Sequence, residues 1–349
     1  MPVFNDLGDR QAKELANMKQ VYDAWKHSSF LLKHSFAGRM HWETRSGREY
    51  LYIRKSSRID KSLGPRSPET EAQFAAYEAA RDAQTINHRG LTASLNMQAG
   101  ILASLSVGRL DRVAGRVLRK LNEIAAMNFR VIGTHALFLY ENQAGVRFSP
   151  EYTATEDIDI LVDDRSRLRI ISADANQITL VGVIKHIDKS FAKRGPLDFR
   201  LTNKDGYMVE FLRPEPKPSH RKMPLSASLD AEDVQPAPID GLQWLVNCPG
   251  VEGVVLDLNG FPVDMKCPDP RYLAAHKLWV SKALDRDGLK AGKDRKQAES
   301  LFELVARKMK YLPLDEGFLE TLPMVLRADV EDIIARNVGG PSDGLTPNW

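Results

Sequence analysis

Two aspartates in the segment DIDILV, Asp157 and Asp159, are the residues that most strongly suggest chemistry. Successive side chains of a strand face opposite sides, so a strand over Asp157–Val162 projects both carboxylates from one face. Neighbouring carboxylates repel each other unless a proton or a cation relieves them. Hard oxygen ligands at this spacing suit Mg²⁺ (or Mn²⁺), which completes its coordination with water and substrate phosphates. The pair predicts a divalent-metal site, although exposed strand edges often carry a D-x-D pattern without a metal.

A glycine and a threonine, Gly133-Thr134, follow the apolar run Phe129–Ile132 upstream of the aspartates. A glycine where a strand turns into a helix lets backbone N–H groups approach a phosphate, and the helix N-terminus favours negative charge. The Thr134 hydroxyl adds a donor. The two residues predict a phosphate-binding turn; the alternative is that Gly133 only turns the chain and Thr134 caps the helix.

A third carboxylate is required if the site holds two metal ions, and Glu210 is the first candidate. In the predicted strand Tyr207–Leu212 it shares a face with Met208 and Leu212, where the pattern expects an apolar side chain. Burying an uncompensated carboxylate is unfavourable, whereas a metal ion on that face would compensate it. Asp198 is the competing candidate, but its polar neighbours favour a solvated or ion-paired role.

These residues belong to a longer pattern. It comprises G-T-H-A-L at 133–137, A-G-V-R at 144–147, T-x-D-I-D at 155–159, G-Y-x-V-E at 206–210, H-K-L-W-V-S at 276–281 and K-D-R-K-Q-A at 293–298. The pattern is similar to that of the nucleotidyltransferase superfamily that includes DNA polymerase beta. It resembles more closely a bacterial family of stand-alone nucleotidyltransferases, over roughly residues 115–310. Thr134 stands where many superfamily members have serine, and Glu210 stands where aspartate is commoner.

The resemblance implies a reaction and roles for particular residues. The reaction transfers a nucleoside monophosphate from an NTP to a hydroxyl acceptor and releases pyrophosphate. Asp157 and Asp159 are implied to hold Mg²⁺ on the triphosphate, and Glu210 with one of them to hold a second ion that activates the nucleophile.

Three more side chains are candidates for binding the nucleotide. Lys277, on a helix that begins near 270, is expected to point its ammonium at the triphosphate, unless it only extends to solvent. Asp294 opens the next helix, where a carboxylate also favours the helix dipole. Arg147 is a candidate phosphate contact on a loop. His135 and His276 are expected to be packed side chains rather than catalysts.

The surrounding pattern predicts an α+β fold: a nucleotidyltransferase-type mixed sheet with flanking helices. Helices are expected over 8–36, 68–89, 111–127, 134–142 and 178–192 and from 270 onward, with strands over 129–132, 157–162, 197–203 and 207–212. Two hairpins are expected, over 40–53 around Ser46-Gly47 and over 251–266 around Asn259-Gly260.

The remaining segments predict the connections and the domains. The Ser- and Gly-rich segment before 111 is expected to be a joint, 143–156 a loop, 214–239 irregular because of its prolines, and 339–349 a frayed tail. The chain is expected to form three domains: an N-terminal helical domain with a basic hairpin over 1–114, a nucleotidyltransferase core over 115–267 and a C-terminal helical domain over 268–349.

Composition places the 349-residue chain among globular proteins, with 43% hydrophobic residues and a formal net charge of +3. No apolar run approaches the about 20 residues of a transmembrane helix, and the N-terminus is too polar for a signal peptide, so a cytoplasmic location is expected. Cys248 and Cys267 are expected to be free thiols. The sequence gives no indication of oligomeric state.

Positive charge is concentrated in the predicted hairpin region 39–66, which has eight basic and three acidic residues. Lys and Arg on an exposed ribbon neutralise phosphates, and the aromatic residues His41, Trp42, Tyr50 and Tyr52 are suited to stack on bases. The hairpin predicts RNA or tRNA as a partner; the alternative is a solvated hairpin whose aromatic residues pack on the adjacent helix.

Taken together, the sequence predicts an Mg²⁺-dependent nucleotidyltransferase that acts on an RNA or tRNA, a protein or a small molecule. A D-x-D glycosyltransferase is an alternative, but it needs neither the Gly-Thr turn nor an acid on a later strand. A non-enzymatic nucleic-acid-binding protein is another, but there a degenerate catalytic face would be expected.

Overall fold

The computed structural model describes residues 3–54, 60–124, 129–163, 179–195, 198–216, 233–284 and 286–338. Helices and several small sheets make up these residues, which confirms the predicted α+β class. Two compact units divide the chain. The larger holds the described residues of Met1–Gly8, Arg109–Asp257 and Val263–Trp349, and the smaller holds those of Asp9–Gly108 and Leu258–Pro262. The division into domains 1–114, 115–267 and 268–349 stays a prediction.

The helices are α1 Asp9–His34, α2 Pro68–Ser104, α3 Arg112–Asn122, α4 Ala136–Ala144, α5 Pro150–Thr153, α6 Leu180–Ile187, α7 Leu242–Asn247, α8 Pro270–Ser281, α9 Gly288–Lys308, α10 Glu316–Thr321 and α11 Met324–Val338. The strands are β1 Phe4–Asp6, β2 Arg39–Arg45, β3 Arg48–Arg54, β4 Asp60–Pro65, β5 Phe129–Ile132, β6 Val146–Phe148, β7 Asp157–Val162, β8 Arg200–Thr202, β9 Met208–Pro214, β10 Ala237–Ile239, β11 Gly250–Leu256 and β12 Pro262–Pro268. None of these helices is long and apolar enough to cross a membrane.

The smaller unit is built on α1, α2 and the three-stranded sheet β2-β3-β4. Its hairpin forms as predicted, because Ser46 and Gly47 both adopt the positive φ angles that a two-residue turn between twisted strands requires. Helix α2 begins as predicted, with a capping box between Ser67 and Thr70. It does not end near Arg89 but continues to Ser104, so the expected joint is confined to the few residues before α3.

A mixed sheet in the order β10-β9-β7-β5 forms the centre of the larger unit, with β8 also paired to β9. Strand β7 runs antiparallel to β5 and parallel to β9. One face of β7 carries Ile158 and Ile160, which are fully buried in the main hydrophobic core. Their neighbours on β9, Val209 and Phe211, are buried in the same core, so the opposite face of both strands is left for polar side chains.

The segment 143–156 differs from the predicted loop, because it contains β6 and α5. Strand β6 is only three residues long and pairs with β1, so that Phe4 lies opposite Phe148. A strand this short, with its partner at the other end of the sequence, gives no local periodic signal. The predicted tail at 339–349 lies outside the described residues, as does most of 214–239.

Candidate active site

The three predicted carboxylates, those of Asp157, Asp159 and Glu210, lie on one face of the central sheet. Parallel pairing of β7 with β9 sets Asp159 directly opposite Glu210 and Asp157 opposite Met208. Directly paired residues face the same side of a sheet, so Glu210 joins the two aspartates on the face away from the core. The structure therefore brings together residues that are separated by about 50 positions in the chain.

The electrostatics of this group are dominated by repulsion among its carboxylates, which nearby cations oppose. Burial, reinforced by the charges of Asp157 and Glu210, raises the pKa of Asp159 to about 7. Burial and the charge of Asp157 also raise the pKa of Glu210, which the Arg200 guanidinium opposes from 3.7 Å. A divalent cation would remove this repulsion, and three carboxylates on one face of the sheet offer the oxygen ligands that Mg²⁺ prefers. The residues present therefore fit the predicted metal site.

Asp198, the competing candidate for the third ligand, accepts hydrogen bonds from the backbone of its own loop. Its two carboxylate oxygens accept hydrogen bonds from the backbone N–H groups of Arg200, at 3.1 Å, and Arg194, at 3.3 Å. The Arg200 Nε also lies 3.5 Å from Asp198. These bonds satisfy the Asp198 carboxylate without a metal ion, whereas Glu210 lies on the face that carries the two aspartates.

The Gly133-Thr134 turn packs directly against the carboxylates. Gly133 opens a one-turn 3₁₀ helix between β5 and α4, with a φ angle of +69°. A Cβ atom at Gly133 would lie 2.0 Å from Asp159 Oδ2, so only glycine allows this approach. The Thr134 hydroxyl is buried and accepts a hydrogen bond from Gln297 Nε2 at 3.3 Å, which fixes its position against α9.

Lys277 and Asp294 are paired with each other and joined by a residue that sequence reasoning missed, Arg286. The Lys277 Nζ lies 3.3 Å from Asp294 Oδ1, and both side chains are buried. Arg286 binds Asp294 Oδ2 through Nε at 3.0 Å and Nη2 at 2.5 Å. Burial lowers the pKa of Lys277, while the charges of Asp294 and Asp159 oppose that shift. The carboxylate of Asp294 thus holds two cations, Lys277 and Arg286, and the charges of both oppose the rise in the pKa of Asp159.

The remaining predicted contacts lie in other surroundings. Arg147 is in β6, where burial and the charge of Arg109 lower its pKa. His135 is buried, with Nε2 3.0 Å from Asp111 Oδ2. His276 is also buried, and burial lowers its pKa to about 4, which keeps it neutral at physiological pH. Both histidines are packed side chains, as expected.

The group of described residues whose possible metal-ligand atoms all lie within 4.8 Å of one another is in the smaller unit and consists of His41, Glu43 and Asp60. Arginines already balance its charges. Arg54 donates to both oxygens of Asp60 at 2.7 Å, and Arg45 donates to Glu43 at 3.1 Å. This group is accounted for as an ion-pair network on the sheet.

Comparisons with known proteins agree with the geometry. No curated protein matches the chain. A solved structure, that of an antigenic nucleotidyltransferase-like protein from Paracoccidioides brasiliensis, is similar at 15% identity with a TM-score of 0.30, over 64% of this chain and 94% of that one. The family model described as nucleotidyltransferase matches residues 112–323, well over half of the chain and the whole of the carboxylate site. The resemblance found in the sequence is thereby confirmed at this level, and the chain belongs to the nucleotidyltransferase family.

Proposed function

We propose that the chain transfers a nucleoside monophosphate from an NTP to a hydroxyl acceptor, with release of pyrophosphate, and that Asp157, Asp159 and Glu210 hold the divalent cations. The observation that carries the proposal is that these carboxylates share one face of the sheet and that the Gly133 turn packs against Asp159 on that face. Mg²⁺ bound there would supply positive charge to the attacking and leaving oxygens. An origin in bacteria and a place in the superfamily of DNA polymerase beta remain predictions.

The chain's own residues then act on the triphosphate. The turn presents backbone N–H groups and the Thr134 hydroxyl to a phosphate, at the start of α4 where the helix dipole favours negative charge. Lys277 and Arg286 add two cations, and their shared bond to Asp294 holds them in place. We assign Asp294 to orienting these cations rather than to direct contact with the nucleotide, since its oxygens already face them.

We propose RNA as the acceptor, because the β2-β3 hairpin carries a face with several basic and aromatic side chains. Register places Arg39, His41, Glu43 and Arg45 of β2 on the same face as Arg54, Tyr52, Tyr50 and Arg48 of β3. The Arg45 guanidinium stacks over the Tyr52 ring at 4.8 Å, and the opposite face of the sheet packs on α2 through Trp42 and Phe74. Ion pairs with Glu43 and Asp60 reduce the net positive charge of this hairpin face. Two further basic residues of the region, Lys55 and Arg58, lie outside the described residues.

A labelling experiment tests the function. The protein is incubated with each α-labelled NTP, Mg²⁺ and fractionated cell extract, and the label is followed into RNA, protein and small molecules. We expect transfer by the unmodified protein and none by Asp159→Asn, while Asp332→Asn, which removes an exposed carboxylate from α11, transfers normally. Asp159→Asn should not lower the melting temperature, because it removes repulsion among the carboxylates.

Two results would overturn the proposal: no transfer with any NTP and any fraction, or full transfer by a folded Asp159→Asn protein. Entry of the label into protein or a small molecule instead of RNA would leave the reaction in place and replace the acceptor.

A further inference from the structure

A carboxylate outside the catalytic group, Asp111, joins two elements of the site. Its Oδ2 atom lies 3.0 Å from His135 Nε2 and accepts a hydrogen bond from the Tyr207 hydroxyl at 2.8 Å. Its other oxygen accepts a bond from the backbone N–H of Ala114 at 2.7 Å, which caps α3. Asp111 is therefore fixed by its own helix while it binds two other segments of the chain.

The contact with His135 acts on the phosphate turn. His135 is the last residue of the one-turn helix that Gly133 opens, it is 2% exposed, and its ring packs edge-on against Phe138. The backbone of Gly133 lies against Asp159 with no room for a Cβ atom. A shift of His135 would therefore move the turn, and the turn would move against the Asp159 carboxylate.

The contact with Tyr207 acts on the strand that carries the third acid. Tyr207 directly precedes β9, whose first residue, Met208, is paired with Asp157. Glu210 follows two positions later and faces Asp159. The hydroxyl of Tyr207 thus anchors the start of the strand at the level of the first aspartate.

We infer that Asp111 is a positioning residue, which through His135 and Tyr207 sets the spacing between the phosphate turn, the two aspartates and Glu210. The inference rests on the proposed function of those carboxylates. Side chains that hold metal ligands in place typically contribute about 10–100-fold to metal affinity. Asp111 holds the ligands through the backbone segments that carry them, so its loss should weaken metal binding although it is not itself a ligand.

The test measures Mn²⁺ affinity by electron paramagnetic resonance, and binding of a fluorescent NTP analogue, for Asp111→Asn and Tyr207→Phe. Tyr207→Phe retains the ring and removes only the hydroxyl, so it remains informative if Asp111→Asn folds poorly. The matched control is Asp257→Asn, which breaks a buried ion pair with Arg119 in the same unit. Melting temperatures are recorded for all variants.

We expect Asp111→Asn and Tyr207→Phe each to weaken Mn²⁺ binding about 10-fold. In a variant that carries both substitutions, the fold-loss of Mn²⁺ affinity should not exceed the product of the two single losses. Asp257→Asn should lower the melting temperature and leave Mn²⁺ affinity unchanged. Wild-type affinity in both test variants, or equal losses in the control, would overturn the inference. Asp159→Asn, measured in parallel, separates the two proposals: if it too leaves Mn²⁺ affinity unchanged, the proposed metal site itself is wrong.

Discussion

Asp159 occupies a position that is unfavourable for an isolated carboxylate. It is half-buried, two more acids share its face of the sheet, and the turn at Gly133 packs closely against it. The same sheet offers Ile158 and Ile160 to the core on its other face, so burial of the strand offsets the repulsion that the acids introduce. The carboxylate repulsion at Asp159 lowers the free energy of unfolding at the position where a cation is expected to bind.

The first prediction at this scale separates Glu210 from Asp198. Glu210→Gln should eliminate turnover and only modestly weaken NTP binding, because Asp157 and Asp159 remain to hold the ion on the triphosphate. Asp198→Asn should be mild, because the amide oxygen can still accept one of the two backbone N–H bonds and the other bond that is lost serves only the loop. Initial rates of pyrophosphate release and titrations of a fluorescent NTP check both statements.

The reverse ranking of these two variants would move the third ligand to Asp198. A circular dichroism melt of each variant shows whether a loss of turnover reflects chemistry or unfolding.

At the scale of helices and strands, the sequence predicted the features that depend on residues close together in the chain, such as turns and strand faces. The turn residues Ser46-Gly47 and Asn259-Gly260 located both hairpins, because the positive φ angles of such turns depend on residue type. The end of α2 was placed wrongly, since Gly90 and Gly100 lie inside the helix and its packing outweighs their low helix propensity. Alternation along β7 and β9 was sufficient to place three acids on one face.

Long-range contacts account for what the sequence could not show. Arg286 has no motif of its own and is identified only by its two bonds to Asp294. Asp111 stands 24 residues before His135 and 96 before Tyr207, so nothing in the local pattern links them. The sequence does mark Asp111 as a residue suited to cap the helix that begins at Arg112, but many helices begin with such a residue.

The exposed face of the β2-β3 hairpin gives the second prediction. Reversing Arg39, Arg45 and Arg48 to Glu should weaken tRNA binding and reduce the slope of log affinity against log salt by about 2, since each lost phosphate contact on a single strand contributes about 0.7. Arg54 is left in place because it holds Asp60 through two bonds, whereas Arg45 makes a single bond to the more exposed Glu43. Filter binding at several salt concentrations provides the measurement.

A matched control reverses three basic residues of the C-terminal helices and their connection, Arg295, Lys310 and Arg336, and should leave the salt slope unchanged. NTP affinity should be the same in all three proteins. If the unmodified protein shows no salt-dependent tRNA binding, RNA should be abandoned as the acceptor in favour of a protein or a small molecule.

At the scale of the whole molecule, Glu141 makes stability depend on pH. Burial raises its pKa to about 7, against the opposing charge of Arg109 and a hydrogen bond from the backbone of Phe148. The native state therefore keeps a proton that the unfolded chain releases near its ordinary pKa. Stability from this group is complete at low pH and is lost as pH rises through about 7.

The third prediction follows from that sign. Glu141→Gln retains an oxygen that can accept the bond from Phe148 and carries no titrating group. Relative to this variant, the unmodified protein should lose about 1–3 kcal/mol of unfolding free energy between about pH 5 and about pH 8. Urea unfolding across that range provides the measurement, and parallel pH profiles for the two proteins would contradict it.

The pairing of β1 with β6 has a consequence for how the chain is made. Phe4 meets Phe148 in that pairing, so β1 must wait for the synthesis of more than a hundred further residues before its partner leaves the ribosome. Meanwhile the whole of Asp9–Gly108 has been synthesised, and it belongs to the other compact unit. Most of the smaller unit is therefore synthesised before β6, although its segment Leu258–Pro262 follows later. The larger unit needs the β1–β6 contact, whose high sequence separation is the kind that slows folding.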